Sequence, residues 1–162
     1  MALDLIAELE ALVDALAAAS IEYALCGGLA VAVHGHARAT RDIDLLVQPQ
    51  DVARISALAK ALGFDVPSRK LVFRAGEPDE HHMLRVSKLD PDTNDLLSLD
   101  LLFVGHVHQT TWDRRTVIPW RSRNLRIVSR DGLATMKRLA GRPQDLADLA
   151  ALEGIEDDEA KG

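Results

Sequence analysis

The chain has 162 residues and a mass of 17.7 kDa, which is the size of one domain. Its composition, 48% apolar and 27% charged, is that of a globular chain and excludes general disorder. No apolar run is long enough to span a membrane, and the acidic N-terminus does not fit a secretory signal. The single cysteine, Cys26, excludes an intrachain disulfide and a cysteine-based zinc site. We therefore expect a cytoplasmic protein.

The net charge of −6 argues against a protein that coats nucleic acid nonspecifically. The charge is uneven, because nine basic residues between positions 113 and 142 face only two acids. These basic residues are Arg114, Arg115, Arg121, Arg123, Arg126, Arg130, Lys137, Arg138 and Arg142. The stretch is either a solvated face balanced by acidic neighbours or a surface for a phosphate-bearing partner.

The first half of the chain predicts alternating helices and strands. Leucines three and four residues apart indicate an amphipathic helix, and charged residues alternating with apolar ones in the segment RDIDLLV indicate a half-buried strand. The predicted elements are a helix over 3–19, a strand over 21–26, a short helix over 29–36, a strand over 41–47 and a helix over 49–62.

The second half predicts strands followed by helices. The acidic, turn-rich segment LDPDTND between two strands is typical of a hairpin. The predicted elements are strands over 70–74, 82–88 and 96–104, edge strands over 116–118 and 125–128, helices over 132–140 and 144–153, and a frayed acidic tail from 156. We expect one domain, with an N-terminal helix (1–20), a core (21–128), C-terminal helices (130–153) and a tail (154–162).

Two aspartates define the first candidate site. Asp42 and Asp44 are two residues apart on a predicted strand, so both side chains leave the same face, while Ile43 and Leu45 point into the core. Two adjacent carboxylates repel each other unless water or a cation neutralises them. The pair is therefore either a solvated sheet edge or half of a cation site.

Other residues favour the cation site. Gly27 and Gly28 lie where a strand is predicted to turn into a helix, and glycines there let backbone N–H groups approach an anion. Arg38 and Thr40 precede the aspartates and are placed to contact the same anion. Asp100 is an acid within an otherwise apolar predicted strand, where it requires a partner.

Three carboxylates beside an anion cradle suit phosphoryl transfer assisted by metal ions. Carboxylate oxygens are ligands for Mg²⁺ or Mn²⁺, and one carboxylate can deprotonate an attacking hydroxyl group. The predicted site is therefore Asp42, Asp44 and Asp100 as metal ligands and catalytic residues, with a nucleoside triphosphate (NTP) as substrate.

The order of these motifs resembles the nucleotidyltransferase superfamily related to polymerase beta, and within it the AbiEii-type branch. The resemblance rests on Gly27-Gly28, His34-Gly35, Arg38, Thr40, Asp42-Ile43-Asp44, Asp100, and the closing pattern Leu133, Lys137, Arg142, Asp145 and Asp148. It implies an α/β fold, a mixed sheet of about four to six strands flanked by helices, with the acids at its rim. It further implies that Asp42 and Asp44 bind metal and triphosphate, that Asp100 is the third ligand and general base, and that Lys137 contacts a phosphate.

The sequence departs from the superfamily pattern at two points. The second turn residue is Gly28, where serine is usual. Only about thirty residues follow the last predicted strand, whereas active members generally carry a further helical domain that holds the acceptor. A partner chain would then hold the acceptor, or the protein is a minimal form.

Three functions remain open at this stage. The first is transfer of a nucleoside monophosphate from an NTP to a hydroxyl of a tRNA, a protein or a small molecule, with a toxin–antitoxin system as one setting for it. The second is a catalytically weak binding module that acts as an antitoxin-like partner protein. The third is an antibiotic nucleotidyltransferase. The basic stretch favours a nucleic acid or protein acceptor.

Other residues receive structural interpretations. His81-His82 and His106-x-His108 lack a third ligand for zinc, although His106 and His108 would share one face of a strand. We expect His34 to be a packing residue and Cys26 a buried apolar one. Trp112 and Trp120 either stack on a base or cap the core.

Overall fold

The computed structural model describes residues 3–36 and 40–161, with side chains described as far as residue 154. Its centre is a seven-stranded mixed sheet in the order β3-β4-β5-β2-β1-β7-β6. The strands are β1 (Ala24–Cys26), β2 (Asp42–Val47), β3 (Val66–Phe73), β4 (His81–Asp90), β5 (Asp95–Phe103), β6 (Thr116–Trp120) and β7 (Arg123–Ile127). The helices are α1 (Leu5–Ala18), α2 (Gly27–Val33), α3 (Val52–Ala61), α4 (Gln109–Asp113), α5 (Arg130–Ala140) and α6 (Pro143–Lys161), with 3-10 turns at Pro49–Asp51 and His106–His108. The predicted α/β class with a mixed sheet and flanking helices is confirmed.

The two faces of the sheet carry different helices. Lys88 of β4 pairs with Glu8 of α1 at 2.9 Å and donates to the carbonyl of Leu62 just after α3, which places α1 and α3 on one face. Successive strand residues point to opposite faces, so Arg85 of β4 points away from α1. The second face forms a cleft together with α5 and the start of α6.

The central strands are buried as their pattern predicts. Ile43, Leu45 and Val47 of β2 have no exposed surface, and the leucines of α1 pack into the same core. Strands β4 and β5 form the predicted hairpin, paired from Asp90 opposite Asp95 outwards.

The sheet has more strands than the four to six expected. β7 is not an edge strand, because it pairs in parallel with β1, with Leu25 opposite Ile127, and only β6 lies at that edge. The reason is that all three residues of β1 are buried. The backbone N–H and C=O groups on both edges of β1 therefore require a neighbouring strand.

Two local predictions are wrong. His106–His108 is a 3-10 turn rather than a strand, so His106 and His108 do not share a strand face. The last helix, predicted over 144–153, is longer in the structure, where α6 is Pro143–Lys161. Both segments are short or polar, so their periodicity carries little information. Arg38 lies outside the described residues.

Candidate active site

A row of four residues crosses the second face of the sheet at one level. Asp44 of β2 lies opposite Cys26 of β1 and abreast of Asp100 of β5, and Asp100 lies opposite Arg85 of β4. Asp42 is two residues before Asp44 and leaves the same face. The parallel pairing of β2 with β5 therefore brings Asp100 to Asp42 and Asp44, although Asp100 is 56 residues beyond Asp44 in sequence.

Gly27 makes room for Asp44. Its φ of +68° is a conformation that favours glycine, and a Cβ built on it would lie 2.6 Å from Cγ of Asp44. Helix α2 begins at Gly27, so the two glycines form its first turn, beside the Asp44 carboxylate. The glycine turn and the aspartate strand are thus in direct contact.

The electrostatic environment of Asp44 disfavours its charge. Burial, and then the negative charges of Asp100 and Asp42, raise the pKa of Asp44 to about 7, while Lys137 and Arg142 act in the opposite direction. The residue is only half-buried, because it forms part of the floor of the cleft. A bound cation would relieve this repulsion.

Asp100 is held by an arginine that the sequence analysis missed. Arg85 donates from Nε to Oδ1 at 2.7 Å and from Nη2 to Oδ2 at 2.9 Å. The signal was available, because a hairpin closed by Asp90 and Asp95 places Arg85 opposite Asp100 by counting alone.

Lys137 has other partners than the predicted phosphate. Its ammonium group lies 2.8 Å from Asp148 and 3.3 Å from Asp145, and all three side chains are almost fully buried. Arg142 also contacts Asp145, at 2.6 Å. Lys137 therefore links α5 to α6, and its contact with a phosphate stays a prediction.

The cleft has a volume of about 1070 Å³, and the polarity of its lining residues differs between its two ends. Near the acids it is lined by Thr40, one of the predicted anion contacts, and by Arg41, which pairs with Asp95 at 3.1 Å. Farther along β3–β5, beyond Asp100, its wall is mainly apolar, with Arg74 and His81 as the polar residues. The apolar residues on these strands are Leu71, Phe73, Met83 and Leu102.

Two arginines of the basic stretch are neutralised on the other side of the sheet. Arg123 pairs with Glu10 at 2.8 Å and with Asp14 at 2.9 Å, and Arg121 pairs with Glu10 at 3.1 Å. Both acids belong to α1, which covers the face opposite Asp44. This arrangement supports the interpretation of a solvated face balanced by acidic neighbours. Of the nine basic residues, Lys137 and Arg142 line the cleft.

The residues that we set aside behave mostly as structural ones. His34 contacts the carbonyl oxygen of Val128 at 2.9 Å, and Cys26 is buried. Trp112 is buried under Arg115, which stacks on it at 3.9 Å, so Trp112 caps the core. His108 is buried beside His81, and burial followed by the nearby His81 lowers its pKa to about 4, so it is neutral at pH 7.

The three acids provide the donor set that a hard divalent cation requires. Within residues 3–36 and 40–154, no three His, Cys, Asp or Glu side chains form a ready-made metal cluster. Asp100 binds Arg85 with both oxygens, whereas the repulsion that raises the pKa of Asp44 favours a cation. The carboxylate chemistry of these residues suits Mg²⁺ or Mn²⁺, and metal binding by Asp42, Asp44 and Asp100 stays a prediction.

The sheet, the glycine turn against β2 and the acids abreast on β2 and β5 define a nucleotidyltransferase-type domain. Solved structures with this fold include LnuA, a lincosamide antibiotic adenylyltransferase in its lincomycin-bound form. It is 18% identical, with a TM-score of 0.60 over 91% of this chain and 96% of LnuA. ANT(2'')-Ia, in complex with adenylyl-2''-tobramycin, is 14% identical, with a TM-score of 0.55 over 94% and 93% of the two chains. The candidate nucleotidyltransferase TM1012 from Thermotoga maritima is 11% identical, with a TM-score of 0.59 over 90% and 89%.

A family model described as "Nucleotidyl transferase AbiEii toxin, Type IV TA system" matches residues 10–161. The chain therefore belongs to the AbiEii nucleotidyltransferase family, as its motifs indicated. A search of curated protein sequences finds no significant match. Among the described residues, none of the helices has the length and apolar character needed to cross a membrane.

Proposed function

We propose that the protein transfers a nucleoside monophosphate from an NTP to a hydroxyl group of an acceptor and releases pyrophosphate. The observation that carries this proposal is the position of Asp44, abreast of Asp100 on parallel strands and against the first turn of α2. That arrangement supports a site in which carboxylates and backbone N–H groups meet a triphosphate and a divalent cation.

The chain's own residues have distinct parts in this reaction. Asp42 and Asp44 would hold Mg²⁺ or Mn²⁺, which supplies positive charge to the triphosphate when bound. Asp100 would accept the proton of the acceptor hydroxyl group. The hydroxyl oxygen of the acceptor would attack the α-phosphorus as the bond from that phosphorus to pyrophosphate breaks. The N–H groups of Gly27 and Gly28 and the hydroxyl of Thr40 would orient the phosphates. Arg38, outside the described residues, stays a predicted phosphate contact from the sequence.

The cleft favours a small acceptor. Its apolar wall on β3–β5 lies next to Asp100, so an acceptor with an apolar body would place a hydroxyl group near that carboxylate. A phosphate-rich acceptor would need unpaired cations, but Arg41 and Arg74 of the cleft are paired with Asp95 and Asp79. This supports a small-molecule acceptor, as in the antibiotic transferases, over a tRNA.

A second candidate is a catalytically weak binding module that acts with a partner protein in a toxin–antitoxin system. One observation favours it: Arg85 binds both oxygens of the acid that would serve as general base. The family match to a type IV system supports a partner of this kind.

Titration calorimetry of the four NTPs with Mg²⁺ or Mn²⁺ tests the nucleotide site. Wild type is expected to bind an NTP only with metal, and Asp44→Asn to lose that binding. Asp65→Asn, at an exposed position away from the cleft, is the matched control and should bind normally. Pyrophosphate release with a panel of hydroxyl-bearing small molecules then tests transfer. Metal-dependent NTP binding without any release would favour the binding module, and no binding at millimolar NTP would contradict a nucleotide site.

A further inference from the structure

We propose that Arg85 is a positioning residue that holds Asp100 in the nucleotide-free protein and releases it when its guanidinium group moves to a phosphate of the bound NTP. The inference rests on the proposed function and adds a residue and an order of events to it. Arg85 would thereby make occupation of the metal site depend on the nucleotide.

The pairing of β4 with β5 places Arg85 next to Asp100. Arg85 and Asp100 are directly opposite each other on antiparallel strands, so both side chains leave the face that carries Asp44. The guanidinium fork engages both carboxylate oxygens, at 2.7 and 2.9 Å. A two-bond pair of this kind fixes orientation as well as charge.

The two partners differ in their exposure to solvent. The Asp100 side chain is 5% exposed, whereas that of Arg85 is 38% exposed and lines the cleft. Arg85 can therefore swing into the cleft without disturbing the core, while Asp100 is fixed. The two bonds from Arg85 to Asp100 use two of the five N–H groups of Arg85, so the remaining donors can contact a phosphate before the bonds to Asp100 break.

The charges around Asp100 leave few cations to neutralise it. Three carboxylates share this part of the cleft, and the neighbouring cations Lys137 and Arg142 are bound to Asp145. Arg85 and a divalent cation would thus compete for Asp100. An NTP changes this competition, because its phosphates offer the guanidinium group a bidentate partner equal to a carboxylate. Metal alone should bind weakly, and metal with NTP should bind well.

The experiment measures Mn²⁺ binding by the loss of its free electron paramagnetic resonance signal, with and without a non-hydrolysable NTP. In Arg85→Gln, Mn²⁺ without nucleotide is expected to bind about tenfold more tightly than in wild type, since the competing charge is gone. The same variant should bind the Mn²⁺–nucleotide complex about tenfold more weakly, since a charge-assisted phosphate contact is lost. Arg85→Lys keeps the charge without the fork and should lie between the two for both measurements.

The matched control is Arg123→Gln, which removes an arginine that binds two oxygens of Asp14 on the opposite face. It should leave both Mn²⁺ affinities at wild-type values. Melting temperatures measured without metal check that every variant is folded. If Arg85→Gln is unfolded, Arg85→Lys takes its place in the Mn²⁺ measurements.

Failure of the inference and failure of the proposed function give different results. Wild type that binds Mn²⁺ with nucleotide, together with Arg85 variants whose nucleotide-free Mn²⁺ affinity is unchanged or lower, would overturn the inference alone. Arg85 would then be a structural partner of Asp100. Absence of Mn²⁺ and nucleotide binding in both wild type and variants would overturn the proposed function and the inference with it.

Discussion

The backbone of Gly27 lies so close to Asp44 that a Cβ on the glycine would come within 2.8 Å of Cβ and 2.6 Å of Cγ of the aspartate. The position of the Asp44 side chain therefore depends on a glycine at residue 27. The first turn of α2 and the acid strand β2 can approach only because residue 27 has no side chain.

Gly27→Ala should consequently lower the melting temperature and abolish metal-dependent NTP binding, since Asp44 must move. We expect a loss of about 2–4 kcal/mol in unfolding free energy, from backbone strain and the steric overlap together. Gly76→Ala is the matched control, because Gly76 also has a positive φ, of +81°, but nothing lies within 4 Å of its Cβ position. Equal losses in the two variants, by chemical denaturation, would contradict a specific contact with Asp44.

The raised pKa of Asp44 predicts how stability depends on pH in metal-free protein. The pKa is 3.8 for an ordinary aspartate and about 7 here, so between these values the folded state holds a proton that the unfolded state does not. Stability should therefore fall as pH rises from about 4 to 7 and then level off. Asp44→Asn should remove this decline and exceed wild type by about 1–2 kcal/mol above pH 7, a reduced figure because Asp44 is partly open to solvent.

Urea unfolding of both proteins in chelator at a series of pH values measures this difference. A gap between Asp44→Asn and wild type that is the same at pH 4.5 and pH 8 would show that the Asp44 charge is not responsible.

Lys137→Met should destabilise the protein even without nucleotide. The substitution leaves the buried carboxylates of Asp145 and Asp148 without their shared ammonium group, which typically costs about 3–5 kcal/mol. Lys60→Met, at an exposed position of α3, is the control and should change stability little. If Lys137→Met melts like wild type and loses only NTP affinity, Lys137 is a phosphate contact rather than a link between α5 and α6.

Reversal of Arg121 and Arg123 to glutamate should lower the melting temperature without affecting NTP binding. The new carboxylates would face Glu10 and Asp14 of α1, so attraction becomes repulsion. The loss should shrink at high salt, because these groups lie at the surface. A double variant that keeps its melting temperature but loses tRNA or partner binding would restore the basic stretch as a binding surface.

Much of the local structure could be read from the sequence because it depends on nearby residues. The alternation in RDIDLLV places Asp42 and Asp44 on one face whatever β2 packs against, and the turn at LDPDTND sets the β4–β5 register. That register also determines that Arg85 faces Asp100, although the sequence analysis did not use it. The individual motifs indicated the family for the same reason, since each lies within a short segment.

Tertiary structure decided the relationships between distant segments. Asp100 could have lain on either side of the sheet until β5 paired in parallel with β2, which depends on how the whole core packs. The basic stretch could not be interpreted alone, because its partners Glu10 and Asp14 are more than 100 residues away in sequence. Periodicity shows which face of a helix or strand is apolar. Long-range packing and charge decide which other element lies against each face.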